Sequence, residues 1–221
     1  MTDASGWTEH DSALWMTCEI AAQLARGGPV DPPRRFTAPF PPAYDPSEEF
    51  WAGGTYEIAR FFAAGDGSYM HHSGAVFGGG LFGLALGAGM AAGRAVGNSS
   101  RRKAAEAAAT PRWYNVDAGT LFVTGAGAYL RNDRGISSWS WFDIVMADMV
   151  TPRQLQLQPQ GSEQIILTSD WSELVFVLWA MRRFPTHHQV LTGTWLPEGW
   201  LSKAAAHYPS SLRSPQLQLG A

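Results

Sequence analysis

The period of the apolar positions changes along this chain, and each change marks an element. From Ser12 to Arg26 the spacing is helical, with Leu14, Trp15, Cys18, Ala22 and Leu24 on one face. Asp11 or Ser12 is the expected N-cap, and Gly27-Gly28 the expected stop. Prolines at 29, 32, 33, 39, 41, 42 and 46 then exclude helix and central strand and predict an extended connector crossing its own domain. Phe50 to Ala64 is aromatic and β-branched and reads as a strand, with Gly53-Gly54 as a bulge or bend. Gly65-Asp66-Gly67 reads as a turn, and Ser68 to His72 as a returning strand.

Gly74 to Gly93 is a run of twenty residues without a charge. On a helical projection Phe77, Leu81 and Leu84 oppose Phe82, Leu86 and Met90, while Gly79, Gly83 and Gly87 line a groove of small residues. A helix apolar all round is buried on most sides, by protein or by lipid. Its few large apolar residues give about 2–3 kcal/mol toward bilayer insertion, a marginal gain. The glycines suit close packing of backbones, so a helix buried in protein is the expectation. After Asn98 the run RRKAAEAAAT is a solvated helix former that Pro111 stops.

From Trp113 the period is two. Thr120–Thr124, Ala128–Arg131, a strand holding Trp139 and Trp141, Asp143–Val150, Gln154–Gln158 and Gln164–Thr168 read as an antiparallel meander with short turns. A closing helix follows, with Asp170 as N-cap, Glu173 as its capping-box partner and Leu174, Leu178 and Met181 as its buried stripe. Beyond His187, Lys203–His207 is a short helix candidate, and the last dozen residues look frayed. The expected class is therefore α+β. Residues 1–47 form an N-terminal helix and connector. Residues 48–188 form the meander domain, with a helix inserted at 74–110, and residues 189–221 form a tail.

Composition narrows the function. Residues 1–73 carry ten acids against four arginines, and residues 74–221 nine acids against twelve bases. That asymmetry falls well short of a nucleic-acid binder. The single cysteine, Cys18, rules out an internal disulfide and a cysteine zinc cluster and fits a reducing compartment. The polar, acidic start lacks the pattern of a secretory signal, so the expected location is the cytoplasm.

Catalytic motifs are missing: there is no His-Glu-x-x-His, Walker loop or Gly-x-Ser-x-Gly elbow. His71-His72 and His187-His188 are the paired histidines, but neighbours on a strand point to opposite faces and no third ligand stands nearby. Gly78-Gly79-Gly80 has no lysine or hydroxyl beside it to meet a phosphate. Asp143 and Asp148 fall on opposite faces of a strand and make no acid–base pair. No catalytic residue, metal or cofactor is expected. Arg101, Arg102 and Lys103 read as a solvated face, with an acidic surface as the other reading. Trp139 and Trp141 share one face of a strand whose other face carries serines, and they are the candidate binding residues.

Gly119-Thr120-Leu121-Phe122-Val123-Thr124, Tyr129-Leu130, Trp139-Ser140-Trp141-Phe142-Asp143-Ile144, Ile165-Ile166-Leu167 and the Trp171–Phe184 helix together resemble a bacterial pleckstrin-homology or GRAM-like domain. The run Gly97-Asn98, Arg101–Lys103, Ala105-Glu106-Ala107, Pro111-Arg112-Trp113 is similar to uncharacterised bacterial proteins with a glycine-rich helix before such a meander. The resemblance implies a PH-like half-barrel and a non-enzymatic binding or scaffolding module with a protein or peptide partner, open to homo-oligomer formation. Phosphoinositide-binding members carry clustered bases between their first two strands. The matching stretch at Gly65-Asp66-Gly67 has none, so the expected surface is apolar or peptide-reading. The alternative is a membrane-associated protein with Gly74–Gly93 in the bilayer and a cytoplasmic PH-like domain.

Overall fold

The structure, a computed structural model, describes residues 6–27, 29–63, 103 and 109–208. The expected turn at 65–67, the strand at 68–72, His71-His72, the glycine-rich helix with Gly79, Gly83 and Gly87, Arg101, Arg102 and the last residues of the tail lie outside these. The chain divides into two compact units, residues 1–60 with 115–221, and residues 61–114.

The first unit is α+β. Apart from residues 61–62 and 112–114, which belong to the second unit, it holds a seven-stranded antiparallel sheet: β1 (Phe50–Phe62), β2 (Arg112–Thr124), β3 (Gly127–Asn132), β4 (Gly135–Ser140), β5 (Ile144–Thr151), β6 (Gln154–Pro159) and β7 (Ile165–Thr168). The spatial order is β4-β3-β2-β1-β7-β6-β5. The two edge strands, β4 and β5, are consecutive in the chain and joined by the three-residue 3-10 turn Trp141–Asp143. Edges so tethered require the sheet to curl back on itself, and the result is a half-barrel. Gly119 serves that curl. A Cβ there would lie 2.1 Å from the Arg131 carbonyl oxygen, so β2 and β3 reach this approach only with glycine.

Helix α2 (Ser172–Arg183) packs against β5, β6 and the 3-10 turn on one side and against α1 (Glu9–Ala25) on the other. Every residue from Ser172 to Ala180 is buried, so the expected stripe is instead a helix enclosed all round. The expected Asp170 cap is corrected. Trp171 holds the N-cap position without a side-chain bond, and Asp170 pairs with Arg153 at 2.8 Å. Glu173 is drawn inward and accepts from the Arg153 backbone N–H at 2.8 Å. At α1 the cap is Thr8, not Asp11 or Ser12. Asp11 is its capping-box partner, because a Thr-x-x-Asp spacing satisfies two free N–H groups at once.

The alternation of β6 holds, with Leu155 and Leu157 fully buried between half-buried glutamines. Helix α1 shares the main core through Leu14, Cys18, Ile20 and Ala21. The tail adds α3 (His188–Thr192) and α4 (Trp200–His207), which bury Val190, Trp200 and Ala204 in that core, and the loop between them buries Trp195 there. A smaller cluster of Phe50, Phe122 and Tyr129 lies under Phe36, Ala38 and Phe40 of the proline-rich connector. Glu48 fastens this layer. It accepts from the Tyr129 hydroxyl at 3.0 Å and the Ala126 N–H at 2.8 Å, and it bonds the Thr124 hydroxyl.

Candidate functional site

The Asn132-Asp133-Arg134-Gly135 turn between β3 and β4 is built by one side chain. Asn132 Oδ1 accepts from the N–H groups of Arg134 (2.8 Å) and Gly135 (3.1 Å), and Asn132 Nδ2 donates to both Asp117 oxygens at 2.8 and 3.0 Å. Asp117 also accepts from the Tyr56 hydroxyl at 2.8 Å. Burial and this carboxylate neighbour push the Tyr56 phenol up to about 12, so it stays a neutral donor. Both Asp117 oxygens are thus occupied by neutral donors within the wall.

Around this frame opens a cavity of about 340 Å³ at the mouth of the curled sheet. Arg60 of β1, Arg134 of the turn, Ser137 and Trp139 of β4 and Ser162 of the β6–β7 turn line it, over a floor of Ile58, Leu130 and Ile165. Arg60 and Arg134 are exposed and make no ion pair among the described residues. The mouth therefore carries two guanidinium groups, free of ion pairs among the described residues, and the hydrogen-bonded Asp117 carboxylate, beside a half-buried indole. Such a site suits a ligand with an acidic group and an apolar group.

The candidate tryptophans part company here. Trp139 lies on β4 opposite Ala128 and lines the mouth. Trp141 is off the strand, in the 3-10 turn, 1% exposed, with its Nε1 donating to the Gly125 carbonyl at 2.9 Å. The shared strand face is corrected: Ser140 and Asp143 form a capping box that ends β4 and turns Trp141 into the core. Asp143 is accordingly not the start of β5. Lys103 is exposed.

The strand beside β1 is Arg112–Thr124, and the sequence between these two strands contains Arg94, Arg101, Arg102 and Lys103.

Other chemistry is committed to structure. His187 caps α3, its Nε2 lies 3.4 Å from Asp148, and its ring meets Phe176 and Trp179 edge-on. Burial, with a smaller effect of the Glu19 charge, pushes the Cys18 thiol up to about 12 and removes it as a nucleophile. Among the described residues no three histidine, cysteine or acidic side chains gather as for a metal ion. A larger open groove of about 900 Å³ runs between the β5–β6 turn and α3–α4, past the exposed Val150, Leu191 and Leu201. It lacks a free pair of like charges to orient a ligand.

Sequence reasoning missed Arg60, Arg134 and Asp117. The Asn-Asp-Arg-Gly turn was visible, but its meeting with β1 depends on the curl. Comparison with family models, curated proteins and solved structures finds no match to this chain.

Proposed function

We propose that this chain is a non-enzymatic, cytoplasmic interaction module of PH-like type, which holds a protein segment carrying an acidic and an apolar side chain in the mouth of its half-barrel. The observation that carries this reading is that Trp139 lines one mouth with Arg60 and Arg134, which make no ion pair among the described residues. The strand order and the enclosed C-terminal helix support the PH-like assignment. The arginines steer and orient an acidic group, and the indole supplies contact area at little entropic cost. The test is capture of partners from an extract of the source cells. Trp139→Ala and the double variant Arg60→Glu/Arg134→Glu should lose a partner that the wild type retains, with melting temperatures that show intact folds. Retention of every partner by both variants would reject the reading.

A second reading, membrane association, is favoured by a different observation. The ends of β1 and β2 that flank the 63–111 connection expose Phe61, Phe62 and Trp113. Among the described residues no helix is long and apolar enough to cross a membrane. In this reading the charge-free Gly74–Gly93 stretch enters the bilayer, and Arg101, Arg102 and Lys103 meet its acidic surface.

A further inference from the structure

The ends of β1 and β2 in the second unit are Phe61, Phe62 and Arg112 to Tyr114. The Phe61 and Trp113 rings lie 5.5 Å apart, and the Phe62 and Tyr114 rings 4.9 Å apart. Successive strand residues point to opposite faces, so the two ring pairs lie on opposite faces of the same strand pair. Phe61 is 52% exposed, and Phe62 and Trp113 are each 40% exposed. The pairing of β1 with β7 covers Glu57 to Arg60 and stops short of these rings. The Arg112 guanidinium lies 4.7 Å from the centre of the Tyr114 ring, and Lys103 of the same unit is exposed.

Exposed rings on both faces of one strand pair are not what a single docking surface covers. A soluble antiparallel sheet buries one face and wets the other, and a second copy of the chain or a partner protein would shield one side. A lipid interface surrounds a strand end from both sides. It accepts tryptophan, tyrosine and phenylalanine at headgroup depth and draws arginine and lysine to acidic lipid. In the sequence these strand ends bracket the charge-free Gly74–Gly93 and the basic Arg101-Arg102-Lys103.

We infer that Phe61, Phe62 and Trp113, with Arg112, form an interfacial anchor that seats this unit in the headgroup layer of an anionic lipid membrane. The inference rests on the membrane-associated reading above and adds the residues that contact the lipid. The test uses the full chain with Cys18→Ala and Phe62→Cys, labelled with a polarity-sensitive nitrobenzoxadiazole dye. A second chain carries Trp113→Cys, in case the first folds poorly, and a control carries Leu191→Cys. Each is floated with phosphatidylcholine vesicles with and without phosphatidylglycerol. The expected result is co-flotation that is stronger with phosphatidylglycerol, with blue-shifted emission at 62 and 113 and unchanged emission at 191. Co-flotation with no shift at 62 and 113, or with an equal shift at 191, overturns the anchor and leaves the membrane reading standing. A chain that stays at the bottom of the gradient overturns both.

Discussion

His10 Nε2 lies 3.0 Å from Glu173 Oε1, joining the first turn of α1 to the first turn of α2. The carboxylate is 1% exposed, the same oxygen accepts from the Arg153 N–H, and its second oxygen has no hydrogen-bond partner. A buried carboxylate so thinly supplied depends on each donor it has. His10→Ala should therefore lower unfolding free energy by about 1.5–3 kcal/mol, the range for hydrogen bonds to charged groups. Urea denaturation would show this against Arg182→Ala, an exposed change expected to stay within about 0.5 kcal/mol.

Trp139 and Trp141 should separate on melting. Trp141→Ala removes a fully enclosed indole and its bond to the Gly125 carbonyl, and should cost about 3–5 kcal/mol. Trp139→Ala, at a half-buried wall of the mouth, should cost clearly less. Equal losses would place both rings in the core and leave the mouth without its aromatic wall.

Acid stability should depend on Asp11. Burial pushes its carboxyl up, but hydrogen bonds from Lys203 (2.6 Å) and Thr8 outweigh this and hold it below its ordinary 3.8. The folded chain then keeps Asp11 ionised at pH values where the unfolded chain has begun to bind a proton. The contribution is thus complete above about 3.8 and fades as pH falls through the lower folded value. The stability gap between wild type and Lys203→Met should be present at neutral pH and shrink across that acid range. A gap independent of pH would mean that Lys203 acts through its contact with the Trp7 ring instead.

Cys18 should resist thiol reagents in the folded chain. It is buried, and its pKa of about 12 leaves almost no thiolate at pH 8. Its labelling rate should follow the unfolded fraction as urea is added. Rapid labelling without urea would show that α1 detaches from the core.

Much of the sheet was legible because period two is a local signal. Gln154 to Gln158 alternates in sequence as in burial, and the β3–β4 turn is announced by Asn132-Asp133-Arg134-Gly135. Two misreadings were made where side chains compete for backbone donors. Thr8 took the cap expected of Asp11, and Ser140 with Asp143 ended a strand that alternation alone would have carried through Trp141. The site was less legible still. Arg60 and Arg134 lie 74 positions apart in sequence, and they share a mouth only because β1 and the β3–β4 hairpin belong to one curled sheet.

The central claim, that the mouth is a binding surface, is tested most directly by photo-crosslinking in the source cells. Benzoylphenylalanine is placed at Trp139, and in a separate chain at Phe142, which is 61% exposed and does not line the mouth. Irradiation should give a discrete higher-mass adduct from position 139 and none from position 142. No adduct at 139, or the same adducts from both positions, would contradict the account.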